Sequence, residues 1–273
     1  MIIVILVKKL LNFSQFFTLV AKNTMANYFD SKFTINFYDL SQYGEASPIT
    51  MLRLLQETAG DHHIAIGENV IDLYERNLGW VLLSGVMQFD RYPKYKDEIT
   101  IRTWISSYKT IRGIRENLIL DSQGEVIGRA KGLWLFFDVK KRRPAPIPKE
   151  IMEGWGTMPE TSIDVDINYK LPVIDDGEFR DIIKVKKFDI DANKHVNNMR
   201  YFTWLIEIMP DRVMEERYLH QIEGRFLNEA NYGDQLVIYT KILKMDEEFL
   251  HLAYDLTTNK PCVVAKTIWR KRK

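Results

Sequence analysis

The segment most informative about the architecture of this chain is residues 47–63, which reads SPITMLRLLQETAGDHH. Ser47 is a favourable helix N-cap and Pro48 suits the first helical turn, so a helix is expected to begin here. Its apolar side chains cover much of the circumference instead of one narrow stripe. A helix of this kind is expected to be largely enclosed by the rest of the fold.

Strand-like segments surround this helix. Residues 33–39 alternate well enough for a strand, and several strand-like runs separated by turn signals lie between residues 80 and 137. The polar, proline-bearing stretch KKRRPAPIPKE, residues 140–150, and then acidic residues near Asp164 to Asp166 break the pattern, and a linker is predicted there. The first half thus combines one long helix with an antiparallel sheet.

The second half repeats this order. Residues 182–189 read as a strand, residues 197–209 as an apolar helix, and further strand-like runs follow. An ungapped offset of 150 residues, which pairs Ser47 with Asn197, superimposes the strand end, the helix cap and the apolar helix face. We therefore predict an internal duplication, with chance similarity as the alternative. The predicted fold class is α+β, a double hot dog in which each of two tandem antiparallel sheets wraps around a long central helix.

The predicted modules are residues 25–158 and residues 165–273, with a ligand cavity at the seam between them. Residues 1–24 are apolar, but their lysines follow the first apolar run, and neither apolar block reaches the ~20 residues that span a bilayer. We expect a non-native start or an N-terminal extension there, and a short surface helix is the alternative. No membrane span is expected.

Composition excludes several classes of protein. The 38 basic and 37 acidic residues leave a formal net charge of +1, without the basic excess that is usual in nucleic-acid-binding proteins. Cys262 is the only cysteine, which excludes an internal disulfide and a cysteine-based metal cluster. A single cysteine is compatible with a reducing compartment, and a cytoplasmic location is predicted. Cys262 itself is expected to be a buried strand residue.

Residues 191–198, DANKHVNN, combine acid, amide and imidazole groups just before the second helix. On an extended backbone, a spacing of two places Asp191, Asn193 and His195 on one side of the chain, beside the helix N-terminus. Helix N–H groups can stabilise an oxyanion, and His195 can transfer protons near neutral pH. Asn193 can donate to a carbonyl or hold a water, and Asp191 can orient a neighbour. Turn and capping residues are the alternative interpretation.

The first half lacks this polar set. At the same offset its residues are Ser41, Tyr43 and Glu45, so one site per chain is expected. A calcium loop is excluded because Lys194 and Arg200 occupy its glycine and glutamate positions. The sequence also lacks the serine-elbow, zinc-helix and phosphate-loop motifs. An activated water is the remaining hydrolytic option, and neither a metal nor a cofactor is predicted.

Four segments resemble the acyl-ACP thioesterases of plants and bacteria. They are LLQETAGDH (54–62), FDRYPKYKDEITIRTW (89–104), AKGLWLFFDVKKRRPAPIPKE (130–150) and FDIDANKHVNNMRYFTWLIE (188–207). The resemblance extends over nearly all of residues 30–270. The last segment is the most specific, because plant members read close to D-x-N-x-H-V-N-N there.

The resemblance implies an enzyme of fatty acid biosynthesis that hydrolyses fatty acyl-ACP to free fatty acid and holo-ACP. It implies that Asp191, Asn193 and His195 are catalytic, and it places the family's glutamate on Glu229. Ala230 stands where many plant members have cysteine, which argues for water instead of a cysteine nucleophile. In this hypothesis Glu229 deprotonates water, directly or through His195. Asn193 and helix N–H groups polarise the thioester carbonyl, while Asp191 keeps these groups in position relative to one another.

The resemblance also implies how the substrate is held. The first module is expected to line the acyl tunnel, with Met51, Leu55 and Trp80 as candidates and ordinary core packing as their alternative. The basic run at residues 140–143 is a candidate docking surface for the acidic carrier protein, and a solvated basic run is its alternative.

Other functions use the same residues. An acyl-CoA thioesterase would use the same residues and differ only in acting on coenzyme A thioesters instead of acyl-ACP. A non-catalytic module that binds acyl thioesters would not need all of the polar residues Asp191, Asn193, His195 and Glu229. A hot dog dehydratase would need an acid/base pair facing a hydroxyacyl group. A homodimer is a plausible assembly for this fold.

Overall fold

In a computed structural model of the chain, the structure describes residues 27–191 and 194–272. The extension predicted at residues 1–24 and the predicted catalytic Asn193 lie outside the described residues.

The described residues form eleven strands, five α-helices and two short 3-10 helices, Phe37–Asp39 and Lys187–Asp189. The strands are β1 (Phe29–Thr34), β2 (Leu78–Phe89), β3 (Glu98–Lys109), β4 (Arg112–Asp121), β5 (Val126–Asp138), β6 (Arg143–Pro144), β7 (Phe179–Lys184), β8 (Arg217–Phe226), β9 (Gln235–Lys244), β10 (Glu248–Asp255) and β11 (Lys260–Lys271). The helices are α1 (Pro48–Ala65), α2 (Val70–Glu75), α3 (Lys149–Trp155), α4 (Asn198–Glu207) and α5 (Asp211–Glu216).

All the described strands belong to one antiparallel sheet. Its order is β1-β3-β4-β5-β2-β8-β11-β10-β9-β7, and the short β6 pairs with β5. Each half contributes its first strand to an outer edge and its second strand to the seam, where Ser84 of β2 lies opposite Arg225 of β8. The two halves therefore share one topology, and the predicted double hot dog is confirmed.

The two long helices begin at the predicted caps. Ser47 Oγ accepts a hydrogen bond of 2.9 Å from the Thr50 N–H at the start of α1. At the start of α4, Asn197 Oδ1 accepts one of 2.9 Å from the Met199 N–H. Each helix packs on its own half of the sheet, and their buried side chains join one apolar core, among them Met51, Leu55, Phe202 and Leu205.

The first part of the predicted linker, residues 140–150, is wrong, whereas its second part, near Asp164 to Asp166, lies in the connection between the halves. β6 and α3 occupy the first part, and α3 packs Ile151 and Trp155 against Ile105 and Phe136. Two large apolar side chains one helical turn apart provide a buried face even in a short, polar segment. The stretch therefore belongs to the first half.

The connection between the halves runs from residue 156 to residue 178 without a helix or strand. It is nevertheless held to the sheet. Ser84 Oγ of β2 donates to the Ile167 carbonyl over 2.7 Å, and Ile163 and Ile167 form an apolar cluster with Val86 and Leu133. These contacts hold the connection against the seam strand β2. In the part of the chain that the structure describes, no helix has the length and apolar character required to cross a membrane.

Candidate active site

The polar segment before α4 contains a tight turn. The Asp191 N–H donates to the His195 carbonyl over 3.0 Å, and the Lys194 N–H donates to the Asp191 carbonyl over 3.0 Å. Lys194 has φ 66°, a left-handed conformation that costs a non-glycine residue roughly 1–2 kcal/mol. The extended backbone expected from the residue spacing is therefore wrong here. The turn brings the backbones of Asp191 and His195 together, while the predicted third member, Asn193, lies outside the described residues.

The first half contains the same turn with different chemistry. The Ser41 N–H donates to the Glu45 carbonyl over 2.8 Å, and Gly44, with φ 76°, occupies the position equivalent to Lys194. The Glu45 side chain forms an ion pair with Arg272 near the C-terminus. The turn is therefore an element of both halves, and only the second half places an imidazole on it.

Glu229 lies next to His195. The distance from His195 Nδ1 to Glu229 Oε2 is 3.2 Å, with the two side chains 23% and 41% exposed. The separation is that of an ion pair, but the ring is not aligned for a hydrogen bond, and Nδ1 has no hydrogen-bond partner among the described residues. Catalytic hydrogen bonds are often loose until substrate binds. The fold thus brings together two of the side chains predicted from sequence.

The loop that carries Glu229 follows β8 and is not itself a strand. The neighbouring Ala230 N–H donates to Tyr201 Oη of α4 over 3.0 Å. The Ala230 carbonyl accepts a hydrogen bond of 3.1 Å from the Val196 N–H, next to the turn. These two bonds hold the carboxylate against the turn and the helix. Arg142 from the first half also reaches Glu229, with Nη2 3.1 Å from Oε2.

Cys262 is unsuited to be a nucleophile. It lies fully buried in β11, as the sequence predicted, and burial raises the pKa of its thiol to about 12. Because the thiolate is the reactive form of cysteine, this side chain stays inert near neutral pH. The position next to Glu229 is Ala230, which has no reactive group.

A cavity of about 270 Å³ lies beside the turn. Among the described residues, its lining from the second half consists of Asp191, Asn197 and Asn198, and the rest of its lining comes from the first half. A smaller cavity of about 80 Å³ shares part of the same wall and extends toward the seam. The lining residues common to both cavities are Gln56, Ala59, Arg115 and Trp134.

Two of the three predicted tunnel residues line these cavities. Trp80 borders the larger cavity and Leu55 the smaller one, whereas Met51 is fully buried in the core and borders neither. Arg115 was not predicted from the sequence. Arg115 lies on the same buried face of β4 as Asn117 and Ile119. The sequence signal that could have identified it is a charged residue at a position where the alternating pattern of the strand predicts a buried side chain.

The start of α4 has one backbone N–H without a partner in the described part of the chain, and it belongs to a residue that lines the larger cavity. The Met199 N–H is bonded to Asn197 Oδ1, and the Arg200 N–H is bonded to the Asn197 carbonyl over 2.8 Å. Asn198 lines the cavity, and its N–H makes no hydrogen bond within residues 27–191 and 194–272. Of the helix N–H groups that were expected to stabilise an oxyanion, that of Asn198 is therefore free of other hydrogen bonds among the described residues.

Comparison with known protein families gives two matches that together cover most of the chain. Residues 26–155 match the acyl-ACP thioesterase N-terminal domain, and residues 174–271 match the acyl-ACP thioesterase C-terminal domain.

Curated relatives give a similar result. The chain is 28% identical over 260 residues to the chloroplastic acyl-[acyl-carrier-protein] hydrolase FATB2 of Cuphea viscosissima, covering 89% of this chain and 63% of that protein. It is 28% identical over 241 residues to the chloroplastic palmitoyl-acyl carrier protein thioesterase of Arabidopsis thaliana, covering 84% and 58%. The chain therefore spans less than two thirds of the length of these relatives.

Two solved structures are similar over nearly their whole length. The 12:0-ACP thioesterase from Umbellularia californica superimposes with a TM-score of 0.81 at 22% identity, covering 90% of this chain and 98% of that one. An acyl-ACP thioesterase from Bacteroides thetaiotaomicron superimposes with a TM-score of 0.75 at 20% identity, covering 89% and 98%. At these identities the likeness establishes a common fold.

Proposed function

Because this chain belongs to the acyl-ACP thioesterase family, we propose that it hydrolyses fatty acyl-ACP thioesters to free fatty acid and holo-ACP by means of an activated water. The observation that carries this proposal is the distance of 3.2 Å between His195 Nδ1 and Glu229 Oε2. The pair lies beside a turn and a helix start whose residues Asp191 and Asn198 line the larger cavity. A proton acceptor, an imidazole and a backbone donor therefore adjoin a space that can take an acyl chain.

In the proposed reaction, Glu229 accepts a proton from water, directly or through His195, and the resulting hydroxide attacks the thioester carbonyl carbon. The negative charge that develops on the carbonyl oxygen is stabilised by the Asn198 N–H and the Asn193 side chain. The carbon–sulfur bond then breaks, and the proton held by the His195–Glu229 pair passes to the departing sulfur. Asp191 holds the turn in register.

We propose that residues 25–158 are the acyl-binding module and residues 165–273 the catalytic module. The division is supported by the larger cavity, which takes most of its wall from the first half, and by the position of His195 and Glu229 in the second. Burying each methylene of an acyl chain gains ~0.8 kcal/mol. Trp134 borders both cavities, so its side chain is placed to limit how far a chain extends.

The basic run at residues 140–143 is proposed to dock the carrier protein. Arg142 is 68% exposed, and its guanidinium contacts Glu229. An acidic partner attracted to this run would therefore deliver its thioester near the catalytic carboxylate. We also propose that the protein forms a homodimer, which is an assembly that suits this fold. A cytoplasmic location is proposed because the single cysteine is buried and unpaired.

Product analysis of the purified chain tests this function. A chain-length series of acyl-ACPs and the matching acyl-CoAs would be incubated with it, and the free acid measured by mass spectrometry. We expect free acid from acyl-ACP, with a higher kcat/KM than from acyl-CoA. Release from acyl-CoA alone would indicate a CoA thioesterase, and binding without release would indicate a non-catalytic module. Either result would contradict the proposal.

A further inference from the structure

The larger cavity has a polar wall that an unsubstituted acyl chain would not satisfy. Arg115 borders both cavities and is only 6% exposed. Its Nη1 lies 3.1 Å from His62 Nδ1 and 3.1 Å from Thr103 Oγ1, and its guanidinium carbon lies 4.8 Å from the centre of the Trp155 ring. These partners are all uncharged, because burial lowers the pKa of His62 to about 2. Among the described residues, no carboxylate forms an ion pair with this buried guanidinium.

Three other polar groups in the same wall lack hydrogen-bond partners among the described residues. His63 Nδ1, Trp80 Nε1 and Tyr108 Oη are buried and make no hydrogen bond within the described part of the chain. Burial lowers the pKa of His63 to about 3 and raises the pKa of Tyr108, so near neutral pH the imidazole is uncharged and the phenol keeps its proton. Trp80 can only donate, and the other two groups can donate as well.

This part of the wall therefore presents two groups that can only donate, Arg115 and Trp80, and two that can donate, His63 and Tyr108. A buried cation and buried unpaired donors are costly in a protein interior, and a ligand oxygen is the kind of group that relieves such a cost. The apolar part of the wall comes from the rings of Trp80, Trp134 and Trp155, which suit a hydrocarbon chain. The combination fits a ligand that is mostly hydrocarbon and carries an oxygen acceptor.

We propose that this cavity selects acyl chains that bear a hydroxyl or keto oxygen, which accepts a hydrogen bond from Arg115. This inference rests on the proposed thioesterase function and defines its substrate class. A site built to bond a substrate oxygen discriminates strongly against the analogue that lacks it, because the buried donors are then left unpaired. An unsubstituted chain fills the same space without bonding the guanidinium.

Binding of free acids to the full chain tests the inference without hydrolysis. Dissociation constants would be measured by tryptophan fluorescence for dodecanoate and for its hydroxy and oxo positional isomers. We expect at least one oxygenated isomer to bind about tenfold or more tightly than dodecanoate. Arg115→Met removes the guanidinium while keeping an extended side chain, and it should abolish that preference. Arg129→Met on β5 removes a partly exposed guanidinium that pairs with Asp90, and it should keep the preference.

Tyr108→Phe provides a second variant, because it removes a single oxygen from the same wall. If thermal melting shows that Arg115→Met does not fold, Tyr108→Phe alone decides, and it should weaken the preference. Equal affinities in the wild-type chain, or a preference unchanged in the folded variant, would overturn the inference. Hydrolysis of unsubstituted acyl-ACP with no preference for oxygenated acids would overturn this inference alone. A preference without any hydrolysis would overturn only the proposed function.

Discussion

Arg142 of the first half lies against Glu229 of the second, with Nη2 3.1 Å from Oε2. The same carboxylate oxygen lies 3.2 Å from His195 Nδ1. Glu229, the proposed base, therefore contacts both His195, the proposed proton carrier, and Arg142, which belongs to the proposed docking surface. Occupation of the basic run by an acidic partner would act on Glu229 through a direct contact.

Glu229→Gln should lower kcat for acyl-ACP about 10²- to 10⁴-fold, because an amide cannot accept the proton of the attacking water. Single-turnover release of free acid would measure the chemical step. Glu207→Gln provides the matched control, since Glu207 is exposed at the end of α4, and it should leave kcat unchanged. A kcat for Glu229→Gln close to that of this control would remove Glu229 from the mechanism.

Asn193→Ala should lower kcat ~100-fold or more, because losing one oxyanion donor typically costs roughly 3–4 kcal/mol of barrier. The effect should fall on kcat with little change in KM, since the charge forms only in the transition state. Steady-state kinetics with one acyl-ACP would separate the two constants. Asn231→Ala, in the exposed loop after Glu229, serves as the control. A change confined to KM would argue against the assigned role.

Arg142→Glu should raise KM for acyl-ACP, most strongly at low salt, because exposed charges are screened as ionic strength rises. Lys32→Glu, on the outer edge strand β1, is the control and should leave KM unchanged. A small acyl thioester without a carrier protein would show how much of the effect comes from the contact with Glu229. Equal losses on both substrates would assign Arg142 to the active site and not to docking.

Cys262→Ala should retain most of the turnover, and iodoacetamide should not inactivate the folded chain. The thiol is buried and its raised pKa of about 12 keeps it protonated, so the reactive thiolate is scarce. Alkylation followed by mass spectrometry, with and without denaturant, would measure its accessibility. Rapid inactivation of the folded chain by the reagent would show that the water mechanism needs revision.

The free energy of unfolding should fall as the pH is lowered from about 6.5 toward 3. His251 lies between Thr240 Oγ1 at 2.7 Å and Thr267 Oγ1 at 2.8 Å, and burial lowers its pKa from 6.5 to about 3. The unfolded chain therefore binds a proton in this window that the folded chain does not bind. The His251→Gln variant should have a lower free energy of unfolding at pH 7.5 than the wild-type chain. Its free energy of unfolding should also fall less steeply between pH 6.5 and 3, as measured by urea denaturation. Equal slopes for both proteins would contradict this.

The long helices and their caps could be predicted because the signals are local. Ser47 and Asn197 bond N–H groups two or three residues away, so the residues that decide each helix start are neighbours in sequence. The helices α2, α3 and α5 have only six or seven residues each and were not predicted. Helices this short depend on packing more than on their own sequence.

The chemistry of the site followed from residue types, but its geometry did not. The sequence alone determined that the combination of acid, amide and imidazole groups before the helix occurs only in the second half, and that the cysteine is separate from it. The turn at Lys194 was only the alternative interpretation of the sequence, because a left-handed backbone is unusual for lysine and only the equivalent turn of the first half has a glycine, Gly44, at this position.

Only the tertiary structure decided which side chains meet. The contact between His195 and Glu229, the approach of Arg142 to the same oxygen and the place of Arg115 in the cavity wall all join residues far apart in sequence. The contact of Arg142 with Glu229 also depends on how the two halves of the sheet pair at the seam between β2 and β8. No local hydrogen-bonding pattern or periodicity encodes that pairing, so it emerges only when the whole chain has folded.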